Sequence, residues 1–332
     1  MKTSYIVARI LYTFFIFAIV VTLNFFIPRL GVDDPAERYF PPQGGMSDIE
    51  YEIVKQHVRT LYGFDVSTGQ QYLNYVQDLL KGDLGTSHRT GFPKVSALIA
   101  ERLPWTLVLS VSGMLISSVF GIIIGSYAAS KRGGALDTGL LNASTLTVAL
   151  PAFFLALIFS LYLGFEWELF PAYTDADLVS GFTWSLAGIS NVARNAALPV
   201  ISMCIGGIVG TGVSTRNSVI AVSNEDFIVT ARAKGLSNNK VLFRHTLRNA
   251  LLPIVTGFGM SLSGLISGAV VIERIFNWNG MGTLFLNANN DNDYPLMMGI
   301  MLFMSALALA GNLIADLLYA FLDPRTVSEG RR

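Results

Sequence analysis

Six long apolar segments alternate with polar stretches along the chain. They lie at 10–28, 105–129, 138–165, 198–222, 250–272 and 295–321. A helix needs about 20 apolar residues to cross the hydrocarbon core of a bilayer, and each segment reaches or approaches that length. The first segment is too long for the apolar region of a cleaved signal, so we expect it to remain as a helix. The pattern predicts an all-α polytopic membrane protein with six transmembrane helices.

The polar stretch between the first two segments has its own helical pattern. Ser47 and Glu50 stand at capping-box spacing, and apolar residues follow at helical intervals. A second amphipathic run over 72–80 ends before Gly82, which is a typical helix stop. Two interpretations of this external loop stay open. It is either a docking surface for an external partner or a lid that covers the helix ends. The residues of the candidate docking surface are Ile53, Val54, Val58 and Leu61.

A second polar stretch, at 223–249, predicts two short helices joined by a turn, which we call the elbow. Ser223 is placed to cap the first helix and Gly235 to end it, while Ser237 is placed to cap the second. Ala231 and Gly235 are four residues apart, which predicts a face of small residues that another backbone can approach. Lys240, Arg244 and Arg248 form a basic stripe on the second helix. Such a stripe is typical either of a loop near anionic lipid or of a lever gripped by a partner.

The composition agrees with a membrane protein and excludes several other classes. The chain is 52% hydrophobic and only 14% charged, with a formal net charge of zero. A neutral chain of this kind is not typical of a nucleic-acid-binding protein. Its single cysteine, Cys204, has no second thiol to pair with and is predicted to be a small buried apolar residue. Arg216 interrupts the fourth apolar segment near one end, where its side chain can extend to the membrane surface.

Basic residues are unevenly divided between the two sides of the predicted membrane. The side that holds both termini, the 130–137 turn and the 216–249 segment carries 13 Lys and Arg against 5 Asp and Glu. The opposite side carries 10 against 17. Short loops rich in Lys and Arg stay in the cytoplasm. We therefore predict that both termini and the elbow are cytoplasmic, in a cell membrane.

Catalytic and metal-binding patterns are lacking in the sequence. His57, His88 and His245 fall on opposite sides of the membrane, so they predict neither a shared metal site nor an intramembrane base. The serine-rich patch at 261–264 is interpreted as a place for close helix packing, with Ser263 as nucleophile the alternative. No phosphate-binding loop is present, so ATP would have to be bound by another chain. We expect no enzyme activity and no cofactor.

Asp316 is the clearest ionisable residue inside an apolar segment. Carriers coupled to ions or protons need such groups in the membrane, so Asp316 favours a stand-alone ion-coupled carrier as the alternative class. The simpler interpretation is that its carboxylate pairs with a basic loop residue or an interfacial water near the cytoplasmic end. A single acidic residue in the spans is fewer ionisable groups than an ion-coupled carrier usually has.

Several motifs, in one order along nearly the whole chain, resemble the permeases of ATP-binding-cassette importers in their dipeptide and oligopeptide subfamily. The elbow carries the two longest, DFIVTARAKGL at 226–236 and HTLRNALLP at 245–253. The others lie at 72–73, 82–87, 101–104, 106–107, 150–157, 293–295, 316–320 and 322–325.

This resemblance implies a type I importer fold and a set of partners. The chain would form half of the translocation pathway beside a second homologous permease, with two cytoplasmic ATP-binding subunits and an extracytoplasmic solute-binding protein. The first elbow helix would be the coupling helix, which sits in a cleft of one ATPase. Its coupling residues would be Glu225, Asp226, Phe227, Thr230, Ala231, Ala233, Lys234, Gly235 and Leu236. Peptides are the expected solutes, and oligosaccharides or metal chelates are the alternatives.

The resemblance also divides the chain and shows two departures. The implied parts are an N-terminal transmembrane helix (1–30), an external helical loop (31–103), a five-helix core (104–323) with the coupling segment 223–249, and a cytoplasmic tail (324–332). Many relatives have Glu-Ala-Ala where this chain has Val229, Thr230 and Ala231, so a contact through that Glu is not expected here. Asn279 replaces a common Pro, which predicts a softer external turn.

Overall fold

The computed structural model describes residues 3–30, 36–37, 46–87, 91–175, 178, 181–251, 254 and 270–322 of the 332. These residues form helices and connecting turns, and they contain no strand, only an isolated bridge between Thr86 and Lys94. The helices are α1 (Thr3–Phe26), α2 (Asp48–Tyr62), α3 (Thr68–Leu80), α4 (Val95–Ser130), α5 (Ala135–Ala149), α6 (Ala152–Phe159), α7 (Leu186–Ser223), α8 (Asp226–Ala233), α9 (Asn238–Lys240, the π-helical Val241–Thr246 and Leu247–Ala250), α10 (Val270–Ile275), α11 (Met281–Asn290) and α12 (Tyr294–Leu322).

Four helices in the described part of the chain are long and apolar enough to cross a membrane. They are Tyr5–Arg29, Val95–Ser130, Leu186–Ser223 and Tyr294–Leu317; the first three contain the first, second and fourth predicted spans, and the last covers most of the sixth. Two of them begin well before the predicted spans, because α4 starts at Val95 and α7 at Leu186. The last residues of the predicted external loop are therefore the first turns of α4. At 36 residues, α4 is about 54 Å long, so it extends beyond the hydrocarbon core.

The third predicted span, 138–165, is a pair of helices and not one straight rod. Helix α5 and the helical stretch Ala152–Glu166 meet at an angle of 95°. Leu150 has an extended backbone (φ −108°, ψ 105°), as the residue before a proline usually does, and Pro151 is the N-cap of the next helix. The described residues thus contain four candidate spans that are single helices, and a fifth if the bent pair counts as one span. The fifth predicted span lies outside the described residues at 252–253 and 255–269, as does the serine-rich patch at 261–264.

The centre of the fold is the long contact between α4 and α7, which relies on small residues. A Cβ added to Gly121 would lie 2.6 Å from Thr211 Cβ, and one added to Gly125 would lie 2.2 Å from the Gly212 carbonyl oxygen. Helices approach this closely only where side chains are absent. Cys204 is buried in the same contact, as predicted, and its thiol lies 3.5 Å from the Gly113 carbonyl oxygen.

The external loop folds onto the ends of α1 and α12. Ser47 caps α2 as predicted, because its hydroxyl accepts the Glu50 N–H while the Glu50 carboxylate accepts the Ser47 N–H at 3.0 Å. Hydrogen bonds from the Ser47 amide and hydroxyl lower the pKa of Glu50. Helix α3 is tied to α1 because the Asn24 amide donates to the Tyr75 hydroxyl at 3.0 Å, and burial raises the pKa of Tyr75. The predicted stop at Gly82 is also present, with φ +79°.

Candidate functional site: the elbow

The first arm of the elbow, α8, starts later than the sequence predicts. Ser223 does not cap it, because α7 continues through this residue and the Ser223 hydroxyl donates to the Val219 carbonyl at 2.7 Å. The N-cap is Glu225, whose side chain makes no capping hydrogen bond. Asp226 occupies the first turn, where a carboxylate is favoured by the helix dipole. Helix α8 is therefore only about two turns long, and it follows α7 in the chain after two residues.

Gly235 ends the first arm by adopting a left-handed backbone, with φ +75°. Open space surrounds the position where a Cβ would stand, so the need for glycine here is conformational and not steric. Ser237 then occupies the N-cap of the second arm in an extended conformation, but without a side-chain hydrogen bond. The predicted turn and helix starts are thus correct, except at Ser223.

The second arm, α9, contains a π-helical stretch at Val241–Thr246. The Thr246 hydroxyl donates to the Val241 carbonyl at 3.2 Å, five residues earlier, which matches the wider π-helical register. Lys240, Arg244 and Arg248 are all exposed, so the basic stripe predicted from an α-helical spacing survives the wider turn.

The two arms pack against each other through a small apolar cluster. Ile228 and Ala231 of α8 lie against Val241 of α9, with Val222 and Leu236 at the margin. Ala231 is only 7% exposed. The predicted face of small residues is therefore wrong, since Ala231 faces the second arm and cannot meet a backbone from another chain.

The outward face of α8 carries four exposed residues at helical spacing. They are Asp226, Val229, Thr230 and Ala233. Val229 is 59% exposed and was missed by the sequence analysis, although a valine three residues from Asp226 and four from Ala233 belongs to that face by spacing alone. Phe227 stands at the edge of the face and is 45% exposed. Of the other predicted coupling residues, Glu225, Lys234 and Gly235 are exposed, and Leu236 is half-buried against Ala231.

A second apolar cluster fixes the elbow to the ends of the two central helices. Leu242, Leu247 and Ala250 of α9 are buried with Val219 of α7, and Ile122 of α4 packs against them. The edge of the Phe243 ring also meets the Tyr127 ring of α4, at 5.6 Å between centroids. A force applied to the elbow would therefore act on α4 and α7 together.

Arg216 does not extend to the surface as the sequence predicts. Its Nε donates to Asp137 Oδ1 at 2.6 Å and its Nη2 to Asp137 Oδ2 at 3.1 Å. The Gly133 N–H also donates to Asp137 Oδ2, at 2.8 Å. This bidentate pair joins α7 to the start of α5 and to the turn before it, so it ties a third helix to the α4–α7 pair.

The turn between α10 and α11 is held by a carboxylate whose role the sequence analysis missed. Glu273 is fully buried and accepts hydrogen bonds from the Thr106 hydroxyl at 2.6 Å and from the Thr283 N–H at 3.0 Å. The Trp278 indole N–H donates to the Trp105 carbonyl at 2.9 Å. Glu273 and Trp278 thus anchor this turn to α4, while the softness expected from Asn279 stays a prediction.

Asp316 has a partner on another helix. Its carboxylate lies 3.3 Å from Nη1 of Arg9 on α1, and both side chains are partly exposed. The predicted pairing with a basic residue is thus found, but the partner stands on α1 and not in a loop. Among the described residues, no cluster of His, Cys, Asp and Glu is arranged to hold a metal ion.

The fold exposes some of the candidate docking residues of the external loop and buries others. Ile53 is exposed on α2, whereas Val58 is buried and Val54 packs beside it against Tyr62 and Tyr294. Val58 therefore stabilises the loop and is closed to a partner. The side chain of Leu61 lies outside the described residues.

Comparisons with known proteins extend over most of the chain. Residues 121–328 match the model of a family described as "Binding-protein-dependent transport system inner membrane component". The oligopeptide transport system permease protein AppB of Bacillus subtilis is 35% identical, over 97% of this chain and 98% of its own. OppB of Haemophilus influenzae, also an oligopeptide transport system permease protein, is 33% identical over 92% and 94%. The dipeptide transport system permease protein DppB of Bacillus subtilis is 32% identical over 82% and 84%.

A family match of this extent agrees with the long apolar helices described above. The family is a component of membrane transport systems and not a class of enzymes. This chain, a multi-pass membrane protein, belongs to the family of binding-protein-dependent transport system inner membrane components.

Proposed function

We propose that this chain is a permease subunit of an ATP-driven importer of peptides. The observation that carries the proposal is its similarity, over nearly its whole length, to proteins named as oligopeptide and dipeptide permeases. In this proposal the chain forms half of the pathway beside a second permease. Two ATP-binding subunits supply the energy, and an external binding protein delivers the solute.

We propose further that the outward face of α8 is the contact with an ATPase, on the cytoplasmic side. The face is exposed, rigidly held by the clusters at Ile228 and Leu247, and connected to both central helices. The chain itself has no phosphate-binding loop, so the energy of ATP has to enter through such a contact. The pairing of Asp316 with Arg9 weakens the alternative of an ion-coupled carrier, because that carboxylate is already compensated.

The proposal predicts peptide uptake that depends on the complete complex. The chain is reconstituted in vesicles with its genomic neighbours, namely the second permease, the ATPases and the binding protein. We expect ATP-dependent uptake of a labelled dipeptide or pentapeptide, and none when the ATPases are omitted. Uptake by this chain alone under an ion gradient would refute the importer, and uptake of only oligosaccharides or metal chelates would refute the peptide assignment.

Ala233→Arg is expected to separate the ATPases from the permease in the same system. The new side chain places bulk and charge on the outward face of α8, and overpacking a close contact costs about 1–3 kcal/mol. Affinity for the ATPases should then fall by roughly tenfold to a hundredfold, measured by co-purification and by uptake rate. Asn239→Arg is the matched control, because it adds the same side chain at an exposed position of α9. Equal retention of the ATPases by both variants would refute the contact at α8.

We propose that the external binding protein docks on the exposed side of α2. Ile49 and Ile53 are one turn apart and largely exposed there, so together they form an apolar patch of the kind that a protein partner covers. Ile53→Asp should weaken binding of the purified external protein to the reconstituted complex by about tenfold or more, as loss of an apolar anchor does. Gln77→Asp, which adds the same charge at an exposed position of α3, is the control. Unchanged binding by Ile53→Asp would leave α2 as a lid only.

A further inference from the structure

The outer side of α9 is a strip of exposed cations. Lys240, Arg244 and Arg248 project from it, and none of them has a carboxylate within ion-pair distance among the residues that the structure describes. The sequence contains no Asp or Glu between Asp226 and Glu273, so no carboxylate close by in sequence can neutralise these cations. A stable binding partner for this strip has to bring negative charge.

The position of α9 indicates where its cations would contact a negatively charged partner. Its inner side packs against Ile122 and Ala129, in the last turns of α4. The exposed Phe243 ring lies against Tyr127, also at this end of α4, and tyrosine is enriched where a span leaves the membrane. The cations of α9 therefore stand level with the end of an apolar span, where lipid headgroups lie.

The two arms of the elbow present different chemistry to their surroundings. The outward face of α8 carries one carboxylate, one hydroxyl and two small apolar side chains, at Asp226, Thr230, Val229 and Ala233. The outer side of α9 carries three cations, the Phe243 ring and neutral asparagine side chains, and no carboxylate. One partner of uniform character would not fit both surfaces.

We propose that the outer side of α9 binds the headgroups of anionic phospholipids. The guanidinium groups of Arg244 and Arg248 present planar donor pairs that match the two free oxygens of a phosphodiester. Lys240 adds a third positive charge, and the Phe243 ring lies in the interfacial layer. Lipid binding here holds α9 against the membrane while α8 stays accessible to a protein. The inference concerns the chain by itself and does not depend on the proposed solute.

The test compares two double variants of the full chain in vesicles. The vesicles consist of phosphatidylcholine with a small amount of spin-labelled phosphatidylglycerol, and the measured quantity is the fraction of label immobilised by the protein. We expect wild-type protein to prefer phosphatidylglycerol over spin-labelled phosphatidylcholine. R244Q/R248Q should lose about fivefold in that preference for each charge removed. R232Q/K234Q removes two exposed cations from the α8 end of the elbow and should keep most of it.

Each outcome decides the question, provided that circular dichroism and size-exclusion profiles of the three proteins agree. No preference in the wild type, or an equal loss in both double variants, would overturn the proposal. So would an R244Q/R248Q protein that keeps its lipid preference but no longer retains the ATPases, because the strip would then belong to a protein partner. Loss of lipid preference with normal ATPase retention would support it and would leave the proposed contact at α8 intact.

Discussion

Replacing Gly125 by alanine is expected to destabilise the protein more than any other single-methyl change described here. The added Cβ would stand 2.2 Å from the Gly212 carbonyl oxygen and 2.8 Å from Thr215 Cβ. Neither obstacle is the flexible end of a side chain, so α4 and α7 have to separate. Overpacking of this kind costs about 3 kcal/mol or more when backbone must move. The measurement is the thermal midpoint at which the purified chain loses its monodisperse peak in size-exclusion chromatography.

Gly210→Ala supplies the matched control for that experiment. Gly210 lies on α7 two residues from Gly212, and a Cβ at this position meets nothing within 4 Å. Alanine is favoured over glycine in a helix by up to about 1 kcal/mol, and both variants share this gain. We therefore expect changes of opposite sign, with Gly210→Ala neutral or stabilising. A midpoint for Gly125→Ala at or above that of Gly210→Ala would contradict the close packing of α4 on α7.

Replacing Glu273 by alanine is expected to release the turn between α10 and α11. The change removes the acceptor of the Thr106 hydroxyl and of the Thr283 and Gly282 N–H groups, all of which are buried. Each unsatisfied buried donor costs about 1–3 kcal/mol, so the total loss should be about 3–5 kcal/mol. The same thermal measurement reports it, together with a red shift of tryptophan fluorescence as Trp278 becomes exposed.

Two neighbouring variants make this result specific. Arg274→Ala removes an exposed charge beside Glu273 and should change stability by less than about 0.5 kcal/mol. Glu273→Gln keeps the shape and one acceptor, so we expect a loss between those of the other two. If Glu273→Ala proves as stable as Arg274→Ala, the carboxylate does not hold the turn.

Local features of the fold were predictable because their causes lie within a few residues. The capping box at Ser47 and the stops at Gly82 and Gly235 need only a side chain or a backbone conformation close by in sequence. The bend at Leu150 was predictable in the same way, since Pro151 restricts the residue before it, but the unbroken apolar run led to one predicted span.

Features that depend on distant partners were not predictable from one sequence. Ser223 has the residue type of a cap, but α7 extends through it because α7 continues to pack on α4 and α9. Arg216 finds its carboxylate at Asp137, 79 residues away. Glu273 follows three apolar residues and precedes Arg274, and nothing in these neighbours indicates that Thr106 anchors it.

The elbow shows which features follow from the sequence and which depend on the tertiary structure. The sequence by itself determined that the chain is a helical membrane protein, where most apolar helices lie, and that two short helices interrupt the last third of the chain. These follow from periodicity, apolar length and turn residues, which are local properties. Only the tertiary structure decided that Ala231 is buried and Val229 exposed, and that α9 rests on the ends of α4 and α7. The direction in which a short helix faces is set by the surfaces that it packs against, and those surfaces come from residues far away in the chain.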